Sequence, residues 1–343
     1  MTEPGAKPTL RDVAQKAGVH PGTASRALNP ETASKVNAAT AKRVMRAAKA
    51  LGYRPNPIAR SLRTSRSHTI GMLIPDFTNS MFPPMVRGVD RVLSERDYTL
   101  LLADTDNNAE REERLYGALR DRQVDGLVIG TALRHHPLLT RIIADEIPFV
   151  LVNRLTDDHP TLAVVGDEVS GIRQTVAHLV GLGHRRIAYL SGPLTTTTGA
   201  GRLSAYKHAL AAHDIGVAPE LITECAAWTE VEGAKGLRRL LDGNEAGAFT
   251  AVMAGNDMIA LGCYGVFRER GIVCPDDLSL VGFNDMPFID HFAPPLTTVR
   301  IPNGDIGVEA ANLLLDAIGS GSVTPKVVTL PVRFIVRGST GPA

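Results

Sequence analysis

Residues 9–29, TLRDVAQKAGVHPGTASRALN, contain two short helical patterns separated by a glycine turn. Thr9 is suited to cap the first helix, because an acidic residue follows three positions later, as in a capping box. Gly18 ends that helix where a left-handed backbone is usually required, and Pro21 begins the next, where its missing N–H costs nothing. Apolar spacing predicts a third helix over about 38–51. Two helices joined by a tight turn and followed by a supporting helix form a helix-turn-helix arrangement.

The charge of the chain is divided unevenly along its length. The 343 residues carry a formal net charge of +1, but residues 1–66 hold thirteen Lys and Arg against three Asp and Glu, a net of +10. The remaining residues therefore carry a net charge of −9. A short basic module joined to a large acidic one favours nucleic-acid binding at the N-terminus and a different role elsewhere. The alternative is a basic face that is merely solvated.

Composition excludes several classes of protein. Hydrophobic residues make up 44% of the chain and charged residues 21%, which is the balance of a packed globular protein. No run approaches the roughly 18 apolar residues that span a bilayer, and no secretory signal is recognisable, so we expect a cytoplasmic protein without a membrane partner. Cys225, Cys263 and Cys274 are too few and too scattered for a disulfide scaffold or a C-x-x-C metal site. No metal or cofactor is implied.

From Thr69 onward, short apolar runs alternate with amphipathic stretches. Strands are predicted at 70–74, 98–102, 126–129, 149–152, 163–165, 187–190, 251–254 and 278–281, and helices at 82–96, 110–122, 169–181 and 202–213. Most of the strand-like runs are continuously apolar, which is typical of parallel strands covered on both faces. The alternation continues for about 260 residues, which is enough for two α/β lobes.

The linker between these parts spans residues 52–68. Pro55 and Pro57 interrupt any helix that continues from Leu51, whereas residues 58–63 can form one or two helical turns. Pieces shorter than about 12 residues rarely persist alone in water. We therefore expect this segment to be disordered or fluctuating unless something holds it.

The motifs resemble those of the lac-repressor/galactose-repressor family of bacterial transcriptional regulators. The matching stretches are 9–14, 17–19, 23–29, 51–56 and 59–62 in the basic part, and 70–71, 183–187, 191–193, 201–203, 256–257 and 295–299 in the acidic part. The resemblance covers nearly the whole chain, and its motifs occur in order.

The resemblance implies three segments. An all-α helix-turn-helix headpiece would occupy 1–51, a hinge helix and linker 52–68, and a two-lobed α/β core like that of periplasmic binding proteins 69–340. Each lobe would be built on a parallel sheet. The first lobe would comprise about 69–167 plus 297–325, and the second about 168–296 plus 326–340.

The resemblance also implies that the second helix of the headpiece enters the major groove of double-stranded DNA. Arg26 matches the family's base-reading arginine, whose fork of donors suits guanine O6 and N7; a phosphate contact is the alternative. Pro21 and Gly22 occupy two variable base-reading positions, where neither side chain can form a hydrogen bond. The headpiece residues implied to bind DNA are Thr9, Pro21, Gly22, Thr23, Ser25, Arg26 and Asn29.

The linker matches the family's hinge helix, which enters the minor groove of the operator as a pair in the dimer. Leu62 matches the leucine that wedges between base pairs and kinks the duplex. Because three arginines surround Leu62 and no core is evident for it to join, we favour the wedge over ordinary packing. Asn56 and Ala59 match the hinge's minor-groove contacts.

In the acidic part, the resemblance implies a pocket that binds a small-molecule effector between the lobes. Aromatic faces suit a ring, while amides and an arginine suit hydroxyls or a carboxylate. Because amides stand at two positions where relatives place aspartates, we expect a neutral or anionic effector. For any single position, lobe packing or surface exposure is the alternative. The implied pocket residues are Phe82, Asn153, Asp167, Thr198, Arg202, Trp228, Asn256, Asp257 and Asn284, with Asp167 the weakest match.

The sequence therefore predicts a transcriptional repressor that binds a near-palindromic operator as a homodimer. Its effector would be a sugar, a sugar acid or a purine-like molecule in the interlobe cleft. A dimer is expected because the leucine-heptad tail that tetramerises some members is absent. No catalytic constellation is found, so we expect no enzyme. The alternative is a sugar-binding or sugar-processing protein with an incidental basic tail.

Overall fold

The computed structural model describes residues 8–53 and 66–343, apart from the side chains of Pro30 and Glu31. The chain divides into two compact units, one ending at Ser67 and the other beginning at His68. The first unit is helical and the second is an α/β structure. Each is described by itself.

The helical unit contains α1 (Leu10–Ala17), α2 (Pro21–Leu28), α3 (Pro30–Ala33) and α4 (Ala38–Leu51). The capping box at α1 is confirmed, because the Asp12 backbone N–H donates to the Thr9 hydroxyl while the Asp12 carboxylate accepts from the Thr9 backbone N–H at 2.7 Å. Gly18 ends α1 with a φ of 64°, the left-handed conformation that glycine adopts without strain.

A small core of alanine and valine side chains holds these helices together. Val13 of α1, Ala24 of α2 and Val44 of α4 are completely buried within it. The three predicted helices are confirmed. The additional α3 forms because the Asn29 carbonyl accepts from the backbone N–H groups of Thr32 and Ala33.

The α/β unit has twelve strands among the described residues. In chain order its elements are β1 (Thr69–Ile74), α5 (Phe82–Glu95), β2 (Thr99–Asp104), α6 (Ala109–Asp121), β3 (Gly126–Ile129), α7 (Pro137–Ala144), β4 (Phe149–Val152), β5 (Leu162–Gly166), α8 (Glu168–Gly181), β6 (Ile187–Ser191), α9 (Thr197–Ala211), β7 (Ile222–Glu224), α10 (Glu230–Asp242), β8 (Ala251–Ala254), α11 (Asp257–Arg270), β9 (Ser279–Val281), β10 (Thr298–Arg300), α12 (Asn303–Ser320), β11 (Lys326–Leu330) and β12 (Arg333–Ile335). Short 3₁₀ turns occur at Pro219–Leu221 and Ile289–His291.

The first lobe is built on a six-stranded parallel sheet in the order β11-β5-β4-β3-β1-β2. Its central strands, β1, β3 and β4, are almost wholly buried, as expected when helices cover both faces of a parallel sheet. Helix α12 packs along α5 on one face of this sheet.

One predicted lobe boundary is wrong. Residues 326–340 were expected in the second lobe, but β11 pairs in parallel with β5, with Lys326 opposite Leu162 and Leu330 opposite Gly166. The unpaired side of β5 needs a partner for its backbone groups, and β11 supplies it. Residues 326–330 therefore belong to the first lobe.

The second lobe is built on a four-stranded parallel sheet in the order β7-β6-β8-β9. A two-stranded antiparallel ribbon, β10 with β12, lies beside it, and Thr297 forms a parallel bridge to Val281 at the end of β9. The chain thus passes between the lobes three times, after β5, near β10 and after β11. The expected fold, a helical headpiece followed by a two-lobed parallel-sheet core, is confirmed.

The eight predicted strands are confirmed with ends shifted by at most two residues. The helix predicted at 202–213 instead begins at Thr197, because the Thr196 hydroxyl accepts from the Gly199 N–H and caps an earlier start. Elements that the apolar pattern did not predict are β7, β10, β11, β12, α3, α7, α10, α11 and α12.

Candidate functional site

Seven of the nine predicted pocket residues line one cavity in the α/β unit. They are Phe82, Asn153, Thr198, Arg202, Trp228, Asn256 and Asn284, and the space between them, part of which is open to solvent, is about 270 Å³. Three further residues that the sequence analysis did not single out complete the wall: Asn79, Met81 and Arg154.

The cavity lies where several parallel strands end. Asn153 follows β4 directly and adopts a φ of 65°, while Asn256 follows β8 and caps α11 by accepting from the Ile259 N–H at 2.8 Å. Phe82 is the first residue of α5, and Thr198 and Arg202 lie on the first turns of α9. Ligands of open α/β sheets bind in this position, outside the carboxyl ends of the strands.

Arg202 is buried, and both terminal nitrogens of its guanidinium are hydrogen-bonded, whereas its Nε is buried without a partner. One terminal nitrogen donates to the Gly255 carbonyl at 2.6 Å, and the other to Glu168 Oε1 at 2.5 Å. The guanidinium carbon lies 4.0 Å from the centre of the Phe283 ring and 5.4 Å from that of Trp228, distances at which cation–π attraction operates. Glu168 therefore neutralises the charge of Arg202.

Arg154 is buried in the same wall but has a different environment. Arg154 is 6% exposed, and its Nε atom is buried without a hydrogen-bond partner. Burial lowers the pKa of Arg154 to about 10, with the neighbouring positive charge of Arg202 acting in the same direction and Glu112 and Glu168 opposing it. Arg154 still carries its charge at neutral pH.

A glycine makes room for the aromatic wall of the cavity. A Cβ atom on Gly192 would lie 2.2 Å from Cη2 of Trp228, well inside van der Waals contact. Gly192 belongs to the Ser-Gly-Pro motif that follows β6, so the indole packs directly against the backbone there. The motif therefore has a steric function.

In the helical unit, α2 presents the predicted DNA-contacting face to solvent. Arg26 is exposed, and its Nε donates to the Gly22 carbonyl at 3.2 Å, while Ala24 and Ala27 are buried on the opposite face. His20 caps this helix, because its Nδ1 accepts from the Gly22 N–H at 3.1 Å. Pro21, Gly22, Thr23 and Ser25 are partly exposed alongside.

Most described basic side chains of this unit are also exposed. Arg43 donates to the Ala17 carbonyl at 2.8 Å and so joins α4 to the end of α1. The exposed basic residues are Arg11, Lys16, Arg26, Lys35, Lys42, Arg43, Arg46, Lys49 and Arg66. This distribution gives the unit a positively charged surface, to which negatively charged phosphate groups are attracted.

The sequence matches two described families. Residues 9–56 match "Bacterial regulatory proteins, lacI family", and residues 176–340 match "Periplasmic binding protein-like domain". The chain is 34% identical over 340 residues to the HTH-type transcriptional regulator CelR of Thermobifida fusca, covering 97% of this chain and 98% of that protein. It is 32% identical over 334 residues to the repressor CytR of Escherichia coli K12, covering 97% and 96%. The chain belongs to the LacI family of transcriptional regulators.

Solved structures of other LacI-family proteins have the same fold. A lac repressor dimer bound to operator and an anti-inducer matches with a TM-score of 0.86 and 27% identity, covering 98% of this chain and all of that one. A CelR–cellobiose complex matches with a TM-score of 0.74 and 32% identity over 97% of this chain and 99% of that one. These relatives are regulators rather than enzymes.

Two predicted pocket residues of this LacI-family chain do not line the cavity. Asp257 is wholly buried, where its carboxylate accepts from the Thr298 hydroxyl at 2.7 Å and the Met286 N–H at 2.8 Å. Burial raises the pKa of Asp257 to about 6. Asp167 caps α8 by accepting from the Ser170 N–H at 3.0 Å. Both carboxylates take part in local structure and neither lines the cavity, so their role in ligand contact stays a prediction.

Two headpiece positions also have local roles. Thr9 is engaged in the capping box of α1, and Asn29 is buried at the end of α2. The hinge residues Asn56, Ala59 and Leu62 lie outside the described residues. Among the helices that the structure describes in this LacI-family chain, none is long and apolar enough to cross a membrane.

Arg154 in the cavity wall and Glu168, which pairs with Arg202, are charged side chains at the cavity that motif matching missed. Arg154 follows the apolar run of β4 immediately, at the strand end where ligands of α/β folds bind. The signal available in the sequence was a charged residue directly after a continuously apolar run that predicts a buried strand. Glu168 carried no comparable signal, because its partner Arg202 lies 34 residues further along the chain.

Proposed function

We propose that this protein is a repressor that binds a near-palindromic operator as a homodimer and responds to a small effector in the cavity between its lobes. Its full-length similarity to the operator-bound lac repressor dimer carries this proposal. A two-fold dimer presents two identical recognition helices, which is why the operator is expected to be palindromic.

The exposed face of α2 supports the assignment of the DNA-binding residues. Arg26 projects from the helix beside Thr23 and Ser25. A guanine in the major groove can therefore accept hydrogen bonds from both terminal nitrogens of the Arg26 side chain. We assign Pro21 and Gly22 to shape-dependent contact at the start of α2. Asn56, Ala59 and Leu62 of the linker are proposed to contact the minor groove, with Leu62 as the wedge.

The cavity supports control by a polar small molecule. Related structures hold cellobiose in CelR and ribose in a LacI-family regulator from Enterococcus faecium, the latter with 29% identity and a TM-score of 0.70, covering 80% of this chain and 99% of that one. Amide and guanidinium groups beside Phe82 and Trp228 suit the same chemistry, namely hydroxyls arranged around an apolar face. We therefore assign the effector to the sugar and sugar-acid classes ahead of purines.

The lobes offer a route from the effector to the operator. The Leu155 N–H donates to the Thr197 hydroxyl at 2.8 Å, and the Arg134 N–H donates to the Thr195 carbonyl at 2.9 Å, so both bonds join one lobe to the other beside the cavity. An effector that binds one lobe arrangement better than another shifts the equilibrium between them. A coupling of about 1–3 kcal/mol changes operator affinity by 5–150-fold.

The remaining functional assignments follow from this role. The headpiece is assigned to residues 1–51, the linker to 52–68 and the effector-binding core to 69–340, with β11 in the first lobe. A regulator of this kind acts on DNA in the cytoplasm and needs no catalytic group.

The DNA-binding proposal predicts that affinity for the operator depends steeply on salt concentration and that Arg26→Ala weakens it. Full-length protein is first used to select operator sequences from random duplexes, and affinity is then measured by mobility shift between about 50 and 200 mM salt. Affinity for the selected operator should fall by orders of magnitude over that range. Arg26→Ala should cost about 1–3 kcal/mol and relax selection at one base position in each half-site.

Arg238→Ala is the matched control, because Arg238 is paired with Glu269 at 2.8 Å on the surface of the α/β unit. It should leave both operator affinity and the salt dependence unchanged. A flat response to salt, or turnover of a sugar by the purified protein, would instead favour a sugar-binding or sugar-processing protein.

A further inference from the structure

Arg154 is positioned by its backbone to face the effector cavity. Asn153 turns the chain at the end of β4, and the Arg154 N–H then donates to the Val152 carbonyl at 2.7 Å. Arg154 is 6% exposed, and its side chain lines the cavity together with Phe82 and Trp228.

The guanidinium of Arg154 has no hydrogen-bond acceptor among residues 8–53 and 66–343. Its Nε is buried and unpartnered, and none of its other donors reaches an acceptor in that part of the chain. A buried charge without a partner is costly to a fold. Such a group is therefore retained for a reason other than stability.

The nearby carboxylates are committed to other groups. Glu168 is paired with Arg202 at 2.5 Å, while Glu112 accepts from the Thr131 hydroxyl and lies 3.3 Å from Nε2 of His136. Both stabilise the charge of Arg154 only through space. Arg154 thus remains the guanidinium in the cavity wall that no carboxylate contacts directly.

The rest of the wall determines what kind of anion fits. Asn284 Oδ1 is buried without a partner, so it can accept from a ligand hydroxyl. The Phe82 and Trp228 rings supply apolar faces. Because Glu168 is paired with Arg202, Arg154 is the cation of the wall that no carboxylate contacts directly.

We propose that the effector is a small polyhydroxylated carboxylic acid whose carboxylate is bound by Arg154. This inference rests on the proposed function, in which the cavity holds the effector, and it narrows the chemical class of that ligand. A planar carboxylate accepts two parallel N–H bonds from a guanidinium and places a negative charge in direct contact with it. A neutral sugar could accept the same bonds, but it would leave Arg154 without a negative charge in direct contact.

The test measures binding of matched ligand pairs to the full-length protein by titration calorimetry. D-Gluconate, D-glucuronate and D-galacturonate are compared with D-glucose, D-galactose and the uronate methyl esters, and D-glucose 6-phosphate is included as a phosphate probe. At least one carboxylate should bind about tenfold or more tightly than its neutral counterpart. Arg154→Met should remove that preference, and Arg154→Lys should retain part of it.

Arg141→Met is the matched control, because Arg141 is half-exposed on α7 and paired with Glu113 outside the cavity. It should leave every affinity unchanged. If neutral sugars bind as tightly as acids, if D-glucose 6-phosphate binds most tightly, or if no carboxylate binds, the proposal is overturned.

A second readout needs no ligand. If Arg154 serves binding at the expense of the fold, Arg154→Met should raise the thermal midpoint of the unliganded protein by about 2–4 °C. Acetate should raise the midpoint of the wild-type protein above that in chloride at equal ionic strength, and should not do so in Arg154→Met. A lower midpoint for Arg154→Met would assign Arg154 to structure and overturn the proposal.

A failure of the effector assignment can be distinguished from a failure of the proposed regulatory function. Operator binding without ligand is measured independently, so a failure of the carboxylate preference with intact operator binding overturns only the assignment of the effector. Loss of specific DNA binding in wild-type protein, with acid binding intact, overturns the regulatory role instead.

Discussion

Single residues of the cavity wall differ in how far the sequence could predict them. Arg202 and Trp228 were found because their motifs match the family's, and the structure brings them together in the cavity. Asp257 was found by the same route but proves to hold Thr298 and Met286 in place. A motif identifies a position, whereas the direction of a side chain depends on neighbours that are distant in sequence. Arg154 shows the converse, since its burial could be known only from the fold.

The contact between Gly192 and Trp228 yields a prediction at this scale. Gly192→Ala should displace the indole, because the added methyl group would lie 2.2 Å from the ring. We expect a loss of about 1–3 kcal/mol in the free energy of unfolding and weaker effector binding. Trp228 is the sole tryptophan of the 343-residue chain, so its fluorescence reports the displacement directly.

Gly201→Ala is the control for that substitution. Gly201 lies on α9, and no atom lies within 4 Å of its would-be Cβ, so alanine should be neutral or stabilising by about 0.5–1 kcal/mol. An unchanged emission spectrum and unchanged stability in Gly192→Ala would contradict the steric role of Gly192.

At the scale of elements, local signals predicted the headpiece better than the core. Helices α1 and α2 begin and end at caps that lie within three residues of their ends, so a short stretch of sequence contains the full signal. Strand β11 depends on β5, from which some 160 residues separate it in the chain, and Val327 on it is half-exposed. Edge strands with mixed exposure lack the continuous apolar run that marked β3 and β4.

The capping box of α1 gives a prediction for an element. Thr9→Ala removes the acceptor for the Asp12 N–H and the hydroxyl donor to its carboxylate. The helix should lose about 0.5–2 kcal/mol, seen as faster hydrogen exchange of the α1 amides in the full-length protein. Thr9→Ser keeps the hydroxyl and should exchange at nearly the wild-type rate. Equal exchange in Thr9→Ala and wild type would show that the cap contributes nothing.

At the scale of the whole α/β unit, the last residues of the chain are held to the second lobe by histidines. His184 Nε2 donates to the Gly341 carbonyl at 3.0 Å, so its Nδ1 accepts from the Thr250 hydroxyl at 2.7 Å. His178 Nε2 lies 3.0 Å from the Thr340 hydroxyl. Burial lowers the pKa of both imidazoles below 6.5. The folded protein therefore holds these groups in the neutral form.

This arrangement predicts how stability depends on pH. Below pH 6.5 the unfolded chain binds more protons at these two histidines than the folded chain does. Their contribution to the free energy of unfolding is therefore constant above pH 6.5 and falls as the pH is lowered towards the folded pKa values. Urea unfolding at pH values of about 7.5, 6.5 and 5.5 should show the decline. His184→Gln should flatten it, whereas substituting the exposed His291 should not. An equal decline in His184→Gln would assign the effect to other groups.

The three passages of the chain between the lobes have a consequence for biosynthesis. The first lobe receives its long covering helix α12 and its edge strand β11 only after the entire second lobe has been translated. A nascent chain that has left the ribosome as far as β5 thus exposes one unsatisfied sheet edge and an uncovered apolar surface. Since such surfaces are prone to aggregate, we expect a chain truncated before Leu330 to aggregate more readily than the full-length chain, because it lacks part or all of β11, the partner of β5.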